Sequence, residues 1–266
     1  MKTRQQVLGQ NFLHHKPTIE KILSLTQEQV TKTNPKSIVE IGPGKLALTL
    51  KLNEIATKAQ AALYLVERDK KLTAGLQEAK VLDKTTFLDA ASDQFIEFLK
   101  SIPTPIYIVS NLPYSASSQI IAQICHARLI LKASGIAGCT FMVQKELATR
   151  MASQNRGSFS LLVESVFSIK LAFDVSPGAF SPPPRVKSTV LTLQPKFDSI
   201  VKTTEELSEF EVFCKALFSK RRKMLRARFE DQGLFSKLGI SGTERPEELD
   251  LSTVYALFCN RRSFVE

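Results

Sequence analysis

No apolar stretch in this 266-residue sequence approaches the roughly 18 residues a membrane span needs, which excludes a bilayer-crossing helix on pattern alone. The first twelve residues are polar and basic and lack the apolar centre of a secretory signal, which predicts a cytoplasmic protein. Cysteine is scarce. Cys125, Cys139, Cys214 and Cys259 are scattered without CxxC spacing, so neither a disulfide framework nor a zinc site is indicated. Histidine is scarcer still, and none of His14, His15 and His126 falls at the end of a predicted strand, where hydride chemistry would need it. There is no internal repeat and no low-complexity tract. What the chain has is 43% hydrophobic residues, ample for a buried core, and a net charge of +10. A basic excess of that size favours an anionic partner, nucleic acid before a membrane surface, and leaves the chemistry open.

The charge is unevenly spread. Residues 1–36 carry six basic and two acidic groups, net +4, while residues 37–180 and 181–266 each carry fifteen and twelve, net +3. Within the last segment, Lys215 to Arg228 holds seven basic residues and no acid, with Phe213, Leu217, Leu225 and Phe229 at roughly helical spacing. This predicts a helix with one apolar stripe and a dense cationic face. Such a helix is either a solvated surface element or a nucleic-acid grip.

Between Ser37 and Val143 short apolar runs alternate with amphipathic ones. Ile38–Ile41, Leu63–Val66, Thr86–Leu88, Ile106–Val109 and Thr140–Val143 read as buried strands, separated by helical patterns, so the fold class is α/β with a parallel sheet. Leu161–Ile169 and Thr189–Leu193 are expected to extend the sheet in antiparallel fashion, and the prolines of Ser181–Pro184 mark a rigid loop. After about Ser199 the pattern turns helical, with Glu205–Phe229 and Glu247–Cys259 the clearest pieces. The expected division is an α/β domain over 1–198 and a small helical domain over 199–266.

The first four strands share one property: each ends at or just before a polar group. Glu40 leads into Gly42-Pro43-Gly44, and Glu67, Asp89 and Asn111 follow at steps of 25 residues from Gly42 and then 22 and 22. In an open parallel sheet the carboxyl ends of the strands form the ligand crevice, so one repeated βαβ unit sets these groups along a single edge. A lone acid after a strand is usually a helix cap, but three in register beside a glycine turn are unlike caps. Glu67 suits a carboxylate accepting from two ribose hydroxyls and Asp89 a donor on adenine, which implies an adenosine-containing cofactor, NAD or S-adenosylmethionine.

Asn111-Leu-Pro-Tyr114 separates the two. At a strand end it supplies a carboxamide oxygen, the carbonyl of Leu112 before Pro113, and the aromatic face of Tyr114 within one turn. These are acceptors for both hydrogens of an exocyclic amine and a surface for its base to stack on. Holding both hydrogens directs the nitrogen lone pair at an electrophilic methyl, and positioning then supplies much of the rate. The plainer alternative is an Asx-type turn with a buried tyrosine.

Leu8-Gly-Gln-Asn-Phe-Leu13, Glu40-Ile-Gly-Pro-Gly44, Glu67-Arg-Asp69, Asp89-Ala90, Asn111-Leu-Pro-Tyr114, Phe141-Met-Val-Gln-Lys-Glu146, Phe180-Ser-Pro-Pro-Pro-Arg-Val-Lys-Ser188, Lys220-Arg-Arg-Lys223 and Arg245-Pro-Glu-Glu-Leu249 occur in that order along the chain. In this the sequence resembles the ribosomal RNA adenine dimethyltransferases of the KsgA type, over essentially its whole length. The resemblance implies a Rossmann-like S-adenosylmethionine-dependent domain and a helical C-terminal domain that helps grip RNA. It implies dimethylation at N6 of two adjacent adenosines in a hairpin loop near the 3′ end of small-subunit rRNA, by a monomer acting on a precursor of the small ribosomal subunit, with no membrane partner and no metal. Carried over by position, Asn11 and Leu13 close over the cofactor, Gly42 approaches its amino-acid end, Glu67 holds the ribose, Asp89 meets the adenine, and Asn111 sits where cofactor and target amine meet. Phe180 is expected to stack on the target base opposite Tyr114, unless it is a core residue, and Lys220, Arg221, Arg222 and Lys223 are expected on RNA. Lys45-Leu46, Leu88 and Ser115 depart from the usual family residues without removing a group the chemistry requires. Rival readings are an erythromycin-resistance-type methyltransferase of large-subunit rRNA, a non-catalytic ribosome-assembly factor that kept the fold, and an NAD-dependent dehydrogenase. Leu112 in place of isoleucine, together with the Phe180–Ser188 segment, favours the small-subunit reading over the first.

Overall fold

A computed structural model describes residues 11–132, 135–154, 156–220, 223–231 and 233–264. Its centre is a seven-stranded sheet of β2 (Ser37–Ile41), β3 (Ala62–Glu67), β4 (Thr85–Phe87), β5 (Ile106–Asn111), β6 (Ile136–Gln144), β7 (Phe167–Val175) and β9 (Ser188–Pro195), in the order β4-β3-β2-β5-β6-β9-β7. The first five are parallel; β9 runs antiparallel between β6 and β7. A separate two-stranded ladder joins β1 (Phe12–Leu13) to β8 (Phe180–Ser181).

Buried on both faces, the central strands read as continuous apolar runs rather than alternations. Successive side chains still point to opposite layers. On β2, Val39 joins the layer formed with α4 (Asp93–Ser101), α5 (Ser117–Ile130) and α7 (Ser158–Val166), while Ile38 joins the layer formed with α1 (Lys16–Thr33), α2 (Thr49–Lys58) and α3 (Thr73–Glu78). The first layer continues without a break into the C-terminal helices, α8 (Thr204–Ser219), α9 (Gly233–Lys237) and α10 (Leu251–Cys259), through Leu207, Phe210, Phe213 and Phe258. Between β6 and α7 lies α6 (Lys145–Ala152).

Two expectations are corrected. Leu161–Val166 is the helix α7, and only from Phe167 does the chain enter a strand. Ser160 to Val163 are all buried, and an apolar run buried on every side carries no period by which strand and helix differ. The cationic helix over Lys215–Arg228 is also not formed. α8 stops at Ser219, Leu225–Ala227 is a single 3₁₀ turn, and Arg228 is turned inward at 2% exposure, donating to the carbonyls of Leu217 (3.4 Å) and Ala216 (3.0 Å) with its guanidinium over the Phe264 ring. Seven like charges on consecutive turns of one helix would repel; the chain ends the helix and draws one cation onto the carbonyls at its end, where the helix dipole is negative. Lys215 is paired with Glu211 at 2.7 Å, leaving Lys220 and Lys223 exposed beyond the helix end. Arg221 and Arg222 lie outside the described residues.

Candidate active site

The sheet order reverses at β2, which has β3 on one side and β5 on the other, and this switch point opens a crevice at the strand carboxyl ends. A cavity of about 570 Å³ occupies it. Its wall includes Gly42 after β2, Glu67 ending β3, Asp89 after β4 and Asn111 ending β5, together with Leu112, Pro113, Tyr114 and Asn11. Gly42, Glu67, Asp89 and Asn111 therefore meet because each stands at the end of an equivalent strand, and Asn11, before β1, joins them from 100 positions away.

Backbone conformation fixes the floor. Gly42 has φ +68° and Gly44 φ +53°, the left-handed region that glycine enters without steric cost. A Cβ on Gly42 would meet nothing within 4 Å, so its backbone stands open to a ligand, whereas one on Gly44 would lie 3.2 Å from the Phe12 ring. Leu46 adopts φ +66° as well, a conformation uncommon for a residue with a bulky side chain.

Glu67 is 5% exposed and held by three backbone amides: Oε1 accepts from Arg68 and Asp69, both at 2.8 Å, and Oε2 accepts more weakly from Gly44 at 3.3 Å. Burial raises its pKa; the amides oppose that rise. On β2, Glu40 is 2% exposed, and its Oε2 lacks a hydrogen-bond partner among the described residues. Burial pushes its carboxyl up to about 8, and the Glu67 charge adds to the rise.

The cap reading fails for Asp89. α4 takes Ser92 as its N-cap, while Asp89 Oδ1 accepts from Ala91 N at 2.9 Å and Oδ2 pairs with Arg68 at 3.1 Å. Asn111 Nδ2 donates to the Asn11 carbonyl at 3.1 Å, which makes Oδ1 the acceptor end. The Tyr114 hydroxyl shares a 2.5 Å hydrogen bond with Ser188 Oγ, and burial raises the phenol pKa, keeping it neutral.

Leu13 and Phe180 are placed otherwise than expected. They are paired in the β1–β8 ladder, 5% and 2% exposed, and sit in the apolar layer behind the cavity rather than on its wall. The cause is strand alternation: Phe12 and Leu13 face opposite ways, and it is Phe12 that lines the cavity, with Lys45 Nζ 4.8 Å from its ring centre. Arg68 and Asp69, given no role although they stand in the Glu67-Arg-Asp69 motif, also line the cavity, as do Lys70 and Lys71, which sequence reasoning passed over. Their position directly after Glu67 was the available signal.

The family model described as ribosomal RNA adenine dimethylase matches residues 1–245. The chain belongs to this family. Its enzymes dimethylate adenine in ribosomal RNA. The protein named ribosomal RNA small subunit methyltransferase A of Dichelobacter nodosus is 33% identical over 251 residues, covering 91% of this chain and 90% of that one. The protein of the same name from a Sulfurihydrogenibium species is 33% identical over 94% of this chain and 93% of its own length. Among solved structures, a dimethyladenosine transferase from Plasmodium falciparum superposes with TM-score 0.69 at 19% identity, over 94% of this chain and 97% of that one. The 23S rRNA methyltransferase ErmE gives TM-score 0.62 at 20% identity, over 93% and 98%. These two share the Rossmann-like methyltransferase fold. No helix among the described residues is long and apolar enough to cross a membrane.

Proposed function

We propose that this dimethylase acts on N6 of two adjacent adenosines in a hairpin loop near the 3′ end of small-subunit (16S) rRNA, with S-adenosylmethionine as methyl donor, during small-subunit biogenesis. The observation that carries the reading is the convergence of Glu67, Asp89 and Asn111-Leu-Pro-Tyr114 on one cavity. The donor set fits the cofactor. A buried carboxylate whose Oε2 is held only at 3.3 Å can turn that oxygen to ribose hydroxyls, Asp89 can accept from an adenine amine, and the open backbone at Gly42 admits an amino-acid group. The bound cofactor supplies an electrophilic methyl on a sulfonium.

The protein's own groups do the rest. Asn111 Oδ1 and the Leu112 carbonyl accept the two hydrogens of the target amine, which points its lone pair into the cavity, and Pro113 shapes the turn that presents them. The base must leave its stack to reach them, and the Tyr114 face receives it. The strap at Asn11 and Phe12 covers the cofactor, with Leu13 and Phe180 fixing that strap from behind. No strong base is required, because a sulfonium leaves readily and orientation lowers the barrier. Lys220, Arg221, Arg222 and Lys223 hold RNA phosphates away from the chemistry. The enzyme works as a cytoplasmic monomer on a precursor of the small ribosomal subunit. Transfer of labelled methyl to unmethylated small subunits, mapped to the nucleotide, tests the reading; labelling confined to the large subunit overturns it.

A further inference from the structure

Tyr114 and Ser188 stand 74 positions apart, and their hydroxyl oxygens lie 2.5 Å from each other at the edge of the cavity. The two ends of this contact differ in freedom. Tyr114 is half-buried on the turn after β5. Ser188 is fully buried as the first residue of β9, paired across the sheet with Gln144 of β6 and Val175 of β7. The residues around it are pinned as well. The Lys187 carbonyl accepts from Lys145 N at 2.9 Å, Thr189 Oγ1 donates to Asp174 Oδ1 at 2.7 Å, and Asp174 pairs with Lys145.

A tyrosine ring has two rotatable side-chain bonds. Its Cβ is fixed by the turn at Pro113, so a rigid hydrogen-bond partner at the hydroxyl fixes the axis from Cβ to the hydroxyl oxygen, and the in-plane preference of a phenolic O–H favours one rotation of the ring about that axis. Stacking needs only the ring face, which phenylalanine would offer equally. The hydroxyl therefore adds orientation to a surface that would otherwise tilt. We propose that Ser188 is a positioning residue for the target base, acting through Tyr114 to hold the stacking face at the angle that brings the amine to Asn111. This rests on the reading that Tyr114 stacks on the target adenine. It also gives the strand that follows the proline loop a part in the reaction, by tying it to the turn that carries the amine acceptors.

The test uses the full-length enzyme and unmethylated small subunits, comparing wild type, Ser188→Ala, Tyr114→Phe and the double variant. Each single change is expected to lower kcat about tenfold, the order of one lost neutral hydrogen bond. The double variant is expected to lose no more than either single one, because both remove the same bond. KM for subunits and the affinity for S-adenosylmethionine should hold within about twofold. Ser188→Thr, which keeps a hydroxyl, should recover more of the rate than Ser188→Ala. Additive losses, or an unchanged kcat in Tyr114→Phe, would overturn the proposal. Should Ser188→Ala fold poorly, Tyr114→Phe decides alone, since it keeps the ring and alters only a half-buried hydroxyl. An inactive wild-type enzyme would instead refute the methyl-transfer reading, so the two failures are distinguishable.

Discussion

Asn111 Nδ2 donates to the backbone carbonyl of Asn11 across 3.1 Å, joining the end of β5 to the residue before β1. One side chain thus ties the residue before β1 to the cavity wall and, by giving its nitrogen to that bond, leaves its oxygen as the acceptor that the proposed reaction assigns to the target amine. Asn111→Ala is expected to abolish methyl transfer while leaving RNA binding nearly unchanged. Parallel transfer and subunit-binding assays check this; loss of both together would make Asn111 structural only.

Glu67 carries its charge among three backbone amides. Glu67→Gln removes that charge and one acceptor from the proposed ribose site. Hydrogen bonds to charged groups contribute about 1.5–3 kcal/mol, so S-adenosylmethionine affinity should fall about ten- to a hundredfold with the fold intact. Calorimetric titration measures it, and an unchanged affinity would remove Glu67 from the cofactor site.

Glu40 predicts a pH effect of definite sign. Its folded carboxyl, pushed up to about 8 by burial, binds a proton that the unfolded chain releases near 4.5. Between these values the folded state holds the extra proton, so this group's contribution to stability is lost as the pH rises. Glu40→Gln should gain in Tm relative to wild type on going from pH 5 to pH 8.5. Thermal unfolding at the two values reads this directly, and a constant difference would contradict it.

Much of the site was legible because its logic is repetitive. Strand ends recur at each βαβ unit, and the spacing of Glu67, Asp89 and Asn111 translated directly into one cavity wall. What stayed hidden depended on tertiary choices. The first helix, Lys16–Thr33, buries Thr26 and Gln29 beside Ile22, Leu23 and Val30, so its inner face is too polar to announce itself. Phe180 follows the same proline-loop pattern whether it faces the cavity or the core, and only the β1–β8 pairing decides. The end of α8 at Ser219 has no glycine or proline to signal it, and the inward turn of Arg228 was set by carbonyls it meets only after folding.

The basic segment beyond α8 remains a prediction about RNA. Neutralising Lys220 and Lys223, both exposed, should weaken subunit binding and shallow its dependence on salt. Each phosphate contact adds about 0.9 to the slope of log K against log salt on duplex nucleic acid, so the slope should fall by up to about two. An unaltered slope would return these lysines to solvent-facing roles.

In the proposed reaction the cavity at the ends of β2, β3, β4 and β5 delivers methyl groups to two adjacent adenosines of the small-subunit RNA. Unmethylated small and large subunits should be incubated with the enzyme and labelled S-adenosylmethionine, and the modified nucleotides mapped by primer extension. Stops are expected at two adjacent adenosines near the 3′ end of the small-subunit RNA, and none with Asn111→Ala. Stops confined to the large-subunit RNA, or tight binding without transfer, would contradict that reaction.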